Sequence, residues 1–140
     1  MQKLLLITLF LTVLVGCKVQ YVATYSPTVT ADAVSARVYS DSLFTAMVNS
    51  PDKSYATYQP GYFIENLKLQ NLVFAEKMRP HAQFLATQAQ RILDQFTIFQ
   101  NDHAVNITLN SNILRGYQAL IDDLFRSYIT SQNSLNGKPQ

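Results

Sequence analysis

The most regular pattern of apolar positions lies near the end of the chain, between residues 113 and 129. Apolar side chains recur there every three or four positions, which places them on one face of an α-helix. The set consists of Ile113, Leu114, Tyr117, Leu120, Ile121, Leu124, Phe125, Tyr128 and Ile129. Since Asn110 or Ser111 can cap the first free backbone N–H groups, the pattern predicts a helix from there to about Thr130.

Two further helices are predicted from similar patterns. One begins at Ser26-Pro27, where Ser can cap and Pro fits the first turn, and it runs to about Asn49. Its expected core residues are Ala33, Ala36, Leu43 and Met47, widened by Val34, Val38, Phe44 and Val48. The other contains the clearest heptad-like run, formed by Leu85, Ala89, Ile92, Phe96 and Phe99. A loop from His103 to Leu109 is expected to follow it.

The region between these helices is interrupted by prolines. Ser50-Pro51-Asp52 ends the first helix, and Pro60-Gly61 interrupts the apolar series that follows. We therefore expect a single turn of helix near Ser54 to Tyr58 and a main helix from about Pro60 to Arg79. The expected buried seam of that helix consists of Ile64, Leu67, Phe74 and Met78.

Pro80 leaves two architectures open. A proline inside a helix removes one hydrogen bond and costs about 3 kcal/mol, which favours a break. The apolar series nevertheless continues in phase through it, so three helices with one long helix kinked at Pro80 are the alternative. We favour a tight turn at Arg79 to Ala82, because four segments of similar length close a compact core. The prediction is an all-α, mostly antiparallel four-helix bundle over residues 27–130, followed by a disordered tail at 131–140.

The start of the chain has the pattern of an export signal. Lys3 supplies a positive charge, and an apolar run follows from Leu4 to Val13. This run is too short to cross a hydrocarbon core of about 30 Å as a lasting helix. It ends in the sequence Leu14-Val15-Gly16-Cys17, which contains the chain's single cysteine.

Leu14-Val15-Gly16-Cys17 resembles the lipobox of bacterial lipoproteins, in which an aliphatic, a small or aliphatic and a small residue precede a cysteine. The resemblance implies cleavage between Gly16 and Cys17, diacylglycerol on the Cys17 sulfur and usually an N-acyl chain. Residues 1–16 would then be the signal peptide and residues 17–26 a lipidated tether. The expected location is the bacterial cell envelope. Because Lys18 rather than an acidic residue follows the cysteine, the sorting rule of enteric bacteria favours the outer membrane over the inner.

Charge and composition disfavour several other functions. Eleven Lys and Arg against nine Asp and Glu give +2, and loss of Lys3 with the signal leaves +1. No basic stripe suited to nucleic acid is present. Glu76 and His81 lie five positions apart across Pro80, which does not suit metal binding on one helix face. The sequence also contains no catalytic motif. We therefore expect no enzyme activity, no metal and no cofactor beyond the lipid on Cys17.

Three tyrosines form the candidate surface for a partner. Tyr55, Tyr58 and Tyr62 are spaced i, i+3, i+7, with Phe63 beside them. We favour the interpretation that these rings cover an open end of the bundle; the alternative is that they dock an envelope protein or a glycan. The function expected for the whole chain is a membrane-anchored structural or protein-interaction module. The alternatives are a carrier or sensor of a small apolar ligand and an accessory subunit of an enzyme.

Overall fold

The computed structural model describes residues 22–106 and 109–137, and these residues form four α-helices. The helices are α1 (Pro27–Asn49), α2 (Tyr55–Met78), α3 (Gln83–Asn106) and α4 (Ser111–Asn133). Each helix packs against the next one in the chain, and α4 closes the ring by packing against α1. This confirms the predicted all-α four-helix bundle. The predicted signal peptide, Gly16 and Cys17 lie outside the described residues.

The predicted helix starts at α1 and α4 are confirmed by their caps. The Ser26 hydroxyl oxygen accepts a hydrogen bond from the Val29 N–H at 3.3 Å. The Asn110 side-chain oxygen accepts from two backbone N–H groups at 3.0 Å each. At its other end α4 runs to Asn133, beyond the predicted end at Thr130, and Gln132 is fully buried. The segment predicted as a disordered tail therefore begins as helix.

The connection between α2 and α3 is the tight turn predicted for Arg79 to Ala82, so the alternative of one long kinked helix is wrong. His81 lies directly after Pro80 and has a φ of 60°, in the left-handed region. This conformation costs a residue other than glycine about 1–2 kcal/mol. It occurs at the point where the chain reverses direction between the two helices.

Helix α2 differs most from the sequence prediction. It begins at Tyr55 and continues through Pro60 without the expected interruption. Its predicted buried seam is wrong, because Ile64, Leu67, Phe74 and Met78 are 42% to 69% exposed. The residues that α2 buries are Tyr62, Glu65, Leu69, Leu72, Val73 and Glu76. The predicted seam consisted of apolar residues alone, whereas both glutamates of α2 lie on the buried side.

Aromatic side chains from α1, α2 and α3 fill the core. Phe44 lies against Phe99 with ring centroids 4.5 Å apart, and Tyr62 packs edge-on against Phe99 at 5.6 Å and Phe96 at 6.0 Å. The predicted heptad run of α3 is buried throughout, and α3 extends it by one further turn to a buried His103. The expected loop at His103 is therefore helical as far as Asn106.

Candidate functional site

The chain enters the bundle at one end, which we call the near end. Three segments meet there: residues 22–26, the turn at 79–82 and the last residues of α4 and its following turn, 131–137. The opposite end, which we call the far end, contains the connection between α1 and α2. Each end contains a cluster of buried polar groups, and a third buried polar group lies between them on α2.

The near-end cluster is centred on the buried carboxylate of Glu76. Both of its oxygens accept hydrogen bonds from the Arg79 guanidinium at 2.8 Å. The Tyr128 hydroxyl and the Gln132 amide also donate to this carboxylate. Burial, and secondly the hydrogen bond to Glu76, raise the pKa of the Tyr128 hydroxyl above its ordinary value. The cluster thus joins α2 to α4 through a charge whose hydrogen bonds are satisfied.

Arg79 also holds the entering chain in place. Its guanidinium donates a hydrogen bond to the backbone carbonyl of Thr24, three residues before α1. Ala23, the preceding residue, is buried in the hydrophobic core. The point at which the chain reaches the bundle is therefore fixed by a hydrogen bond and by packing.

The far-end cluster joins His103 of α3 to Tyr62 of α2. The His103 Nε2 atom lies 2.7 Å from the backbone carbonyl of Lys53, and Nδ1 contacts the Tyr62 hydroxyl. Because a carbonyl only accepts, Nε2 carries a proton; in the neutral ring Nδ1 then accepts from Tyr62. Burial raises the pKa of Tyr62 above its ordinary value. Both ring nitrogens are engaged, so the cluster joins α3 to α2 and to the α1–α2 connection.

The three candidate tyrosines are brought together at the far end. Tyr62 is fully buried, and Tyr55 stacks on it with ring centroids 5.3 Å apart. The Tyr58 hydroxyl donates to the carbonyl of Asp52 at 3.2 Å. This geometry favours the interpretation that the rings cover the end of the bundle. Only Tyr55 and Tyr58, which are half-buried, could contact a partner directly.

Glu65 is a buried polar residue that the sequence prediction missed. It has no exposed surface, and neither carboxyl oxygen has a hydrogen-bond partner among the described residues. Burial raises its pKa to about 8, and the charge of Lys68 opposes the rise. The signal was present in the sequence, because Tyr62, Glu65, Leu69, Leu72 and Glu76 are spaced 3, 4, 3, 4. At neutral pH the side chain is mainly a neutral carboxylic acid in the bundle core.

Large apolar side chains are exposed on α2 and at the start of α3. Phe63, Ile64 and Leu67 form one group within two turns of α2 and are 70%, 42% and 49% exposed. A second group lies toward the near end. It consists of Phe74, Met78 and Phe84, which are 65%, 69% and 67% exposed. These surfaces are available for contacts outside the bundle.

The described residues contain no group of three or more His, Cys, Asp or Glu side chains placed to hold a metal ion. None of the helices within residues 22–106 and 109–137 has the length and apolarity needed to cross a membrane. Comparison of the chain with protein-family models, curated proteins and solved structures gives no match.

Proposed function

We propose that the protein is a lipid-anchored module of the bacterial cell envelope that acts structurally or by binding another envelope protein. The observation that carries the proposal is the sequence Leu14-Val15-Gly16-Cys17 directly after an apolar export segment. Each buried CH₂ group contributes about 0.8 kcal/mol to membrane binding, so two or three acyl chains on Cys17 hold the domain stably on a membrane.

The bundle supports a structural or binding role more than a catalytic one. The His103 and Glu76 clusters use their hydrogen bonds within the protein, at positions that join helices. Phe63, Ile64 and Leu67 instead expose apolar area of the kind that a partner protein covers. We propose this group as the contact surface for an envelope protein.

One cavity within the described part of the bundle gives little support to the alternative of a ligand carrier. A cavity between α1 and α4, lined by Ser40, Phe44 and Phe125 among others, has a volume of about 10 Å³. That is the space of a single water molecule, whereas pockets for small ligands measure about 300–1,000 Å³.

The anchor is tested by expressing the full chain with its own signal, beside a Cys17→Ser variant. We expect the wild-type protein in the membrane fraction, at the mass of residues 17–140 plus diacylglycerol and an acyl chain. The variant should lack the lipid mass and retain residues 1–16. Because Cys17 is the single cysteine, the variant removes all thiol chemistry. A wild-type protein without lipid would contradict the proposal.

Location and partner are tested in the same cells. Density separation should place the wild-type protein in the outer membrane, as Lys18 indicates; recovery with the inner membrane would contradict this location. A photo-crosslinking residue at position 63 should capture an envelope protein, and Leu67→Ser should weaken capture without changing the membrane fraction. The same crosslinker at exposed position 105 of α3 is the control. Equal capture from both positions would contradict a partner surface on α2.

A further inference from the structure

The near end exposes apolar side chains around the point where the chain enters. Phe74, Met78 and Phe84 are each about two-thirds exposed, and Val22 is 44% exposed. We call these four the near-end apolar residues. Val22 and Phe84 line the same open cleft of about 320 Å³, which is bordered by Leu135 after α4. Met78 is the last residue of α2, one turn beyond Phe74, so both lie in the part of α2 that leads into the near-end turn.

The length of the preceding chain limits how far this end can lie from a lipid on Cys17. Four residues lie between Cys17 and Val22, so five Cα–Cα steps join them, and a fully extended chain of that length spans at most about 18 Å. The 24 residues of α2 measure about 36 Å along the helix axis. The near end is therefore the part of the bundle that the tether holds closest to the membrane.

The charge of the near end suits a lipid headgroup layer. Residues 22–26, 77–84 and 131–137 contain no Asp or Glu, whereas Lys77, Arg79 and His81 lie in the middle segment. Glu76 is adjacent in sequence, but its carboxylate is buried and paired with Arg79. Lys77 is exposed; its ammonium donates to the Gln90 amide oxygen at 3.4 Å and forms no salt bridge among the described residues, so it can approach anionic headgroups.

We propose that the bundle stands end-on on the membrane, with Val22, Phe74, Met78 and Phe84 inserted into the lipid interface. This rests on the proposed function, because lipid on Cys17 brings the near end to the bilayer. Insertion removes the exposed rings and the Met78 thioether from water, while Lys77 stays at the headgroup level. Phe63 lies 15 residues before Met78, about 22 Å along α2, and therefore stays in water.

The chain contains no tryptophan, so one introduced indole reports a single position. Phe84→Trp and Met78→Trp place it at the near end, and Phe63→Trp is the matched control because Phe63 and Phe84 are 70% and 67% exposed. The lipidated full chains are reconstituted into phosphatidylethanolamine–phosphatidylglycerol vesicles with brominated acyl chains. We expect the indole of the Phe84→Trp variant to emit at shorter wavelength and to be quenched by bromine, whereas that of Phe63→Trp is quenched by aqueous iodide instead.

The outcomes separate this proposal from the anchor itself. Mass spectrometry and co-sedimentation of each variant with the vesicles first establish that lipid is attached; unlipidated protein would overturn both proposals. Lipidated protein in which the Phe84→Trp and Met78→Trp variants respond to iodide and not to bromine would overturn insertion and leave the anchor. Bromine quenching of the Phe63→Trp variant as well would overturn the end-on orientation. Agreement between the two near-end variants guards against a local effect of either substitution.

Discussion

The buried carboxyl of Glu65 makes the stability of the bundle depend on pH in an unusual direction. In the unfolded chain the carboxyl ionises near its ordinary pKa of 4.5, whereas in the folded bundle burial raises the pKa to about 8. Between these values the unfolded state has lost a proton that the native state still holds. The contribution of Glu65 to the free energy of unfolding therefore falls as pH rises through this range.

The size of the effect follows from the two pKa values. One pKa unit corresponds to about 1.4 kcal/mol, and at pH 7 the unfolded carboxyl is fully ionised while the native one is mostly protonated. The contribution of Glu65 to the free energy of unfolding should therefore be on the order of 3 kcal/mol lower at pH 7 than at pH 4. This contribution should stop changing above about pH 9, where both states are ionised.

Glu65→Gln tests this reasoning, because it keeps the shape of the side chain and removes its titration. Urea unfolding is followed by circular dichroism from pH 4 to pH 9, on chains that begin at Lys18. The stability of the variant minus that of wild type should increase by about 3 kcal/mol between pH 4 and pH 7. The subtraction cancels the titration of other groups. A difference that stays constant over this range would show that Glu65 ionises normally and would refute the argument.

Two further predictions concern glycines and the near-end cluster. Gly116→Ala should raise the free energy of unfolding by about 1 kcal/mol, since nothing lies within 4 Å of the added Cβ. Gly61→Ala should raise the free energy of unfolding by less, because its Cβ would lie 2.6 Å from a Leu43 methyl, which must move. Equal increases for the two variants in urea unfolding would contradict the close contact. Arg79→Ala should cost about 3 kcal/mol and speed proteolysis near Thr24, because it leaves the Glu76 charge buried and unpaired. Unchanged proteolysis would show that Arg79 does not hold the entering chain.

The buried face of α3 could be predicted from the sequence, because apolar residues occupy all of its buried positions before His103. The heptad run of α3 contains no charged residue at a buried position, so its spacing alone identified its buried face. The start of α1 could also be predicted from the sequence, because Ser26 caps the helix and Pro27 fits its first turn, and both effects are local. The turn at Pro80 followed from a local steric rule and from the lengths of the segments.

The buried face of helix α2 also has a regular spacing, but two of its residues are glutamates, which the pattern of apolar positions alone does not select. The apolar spacing of Phe74 and Met78 favoured a face that the fold leaves exposed. The energetic cost of burying the Glu76 carboxylate is offset by its hydrogen bonds from Arg79 and Tyr128. Tyr128 lies 52 positions away in the sequence. Such long-range partners depend on how the four helices pack together. The spacing of residues along one helix carries no information about this packing. The same limit applies to Tyr62, whose partner His103 is 41 positions away.

The hydrogen bond between Arg79 and Thr24 determines how a mechanical load would pass through the molecule. Tension on the chain before residue 22 would reach Thr24 before it reached α1. From there the force passes through the guanidinium to Glu76 on α2 and through the carboxylate to Tyr128 on α4. The pull would then be shared between α2 and α4. A lipid on Cys17, as proposed above, would therefore pull on α2 and α4 through this contact as well as on the first turn of α1.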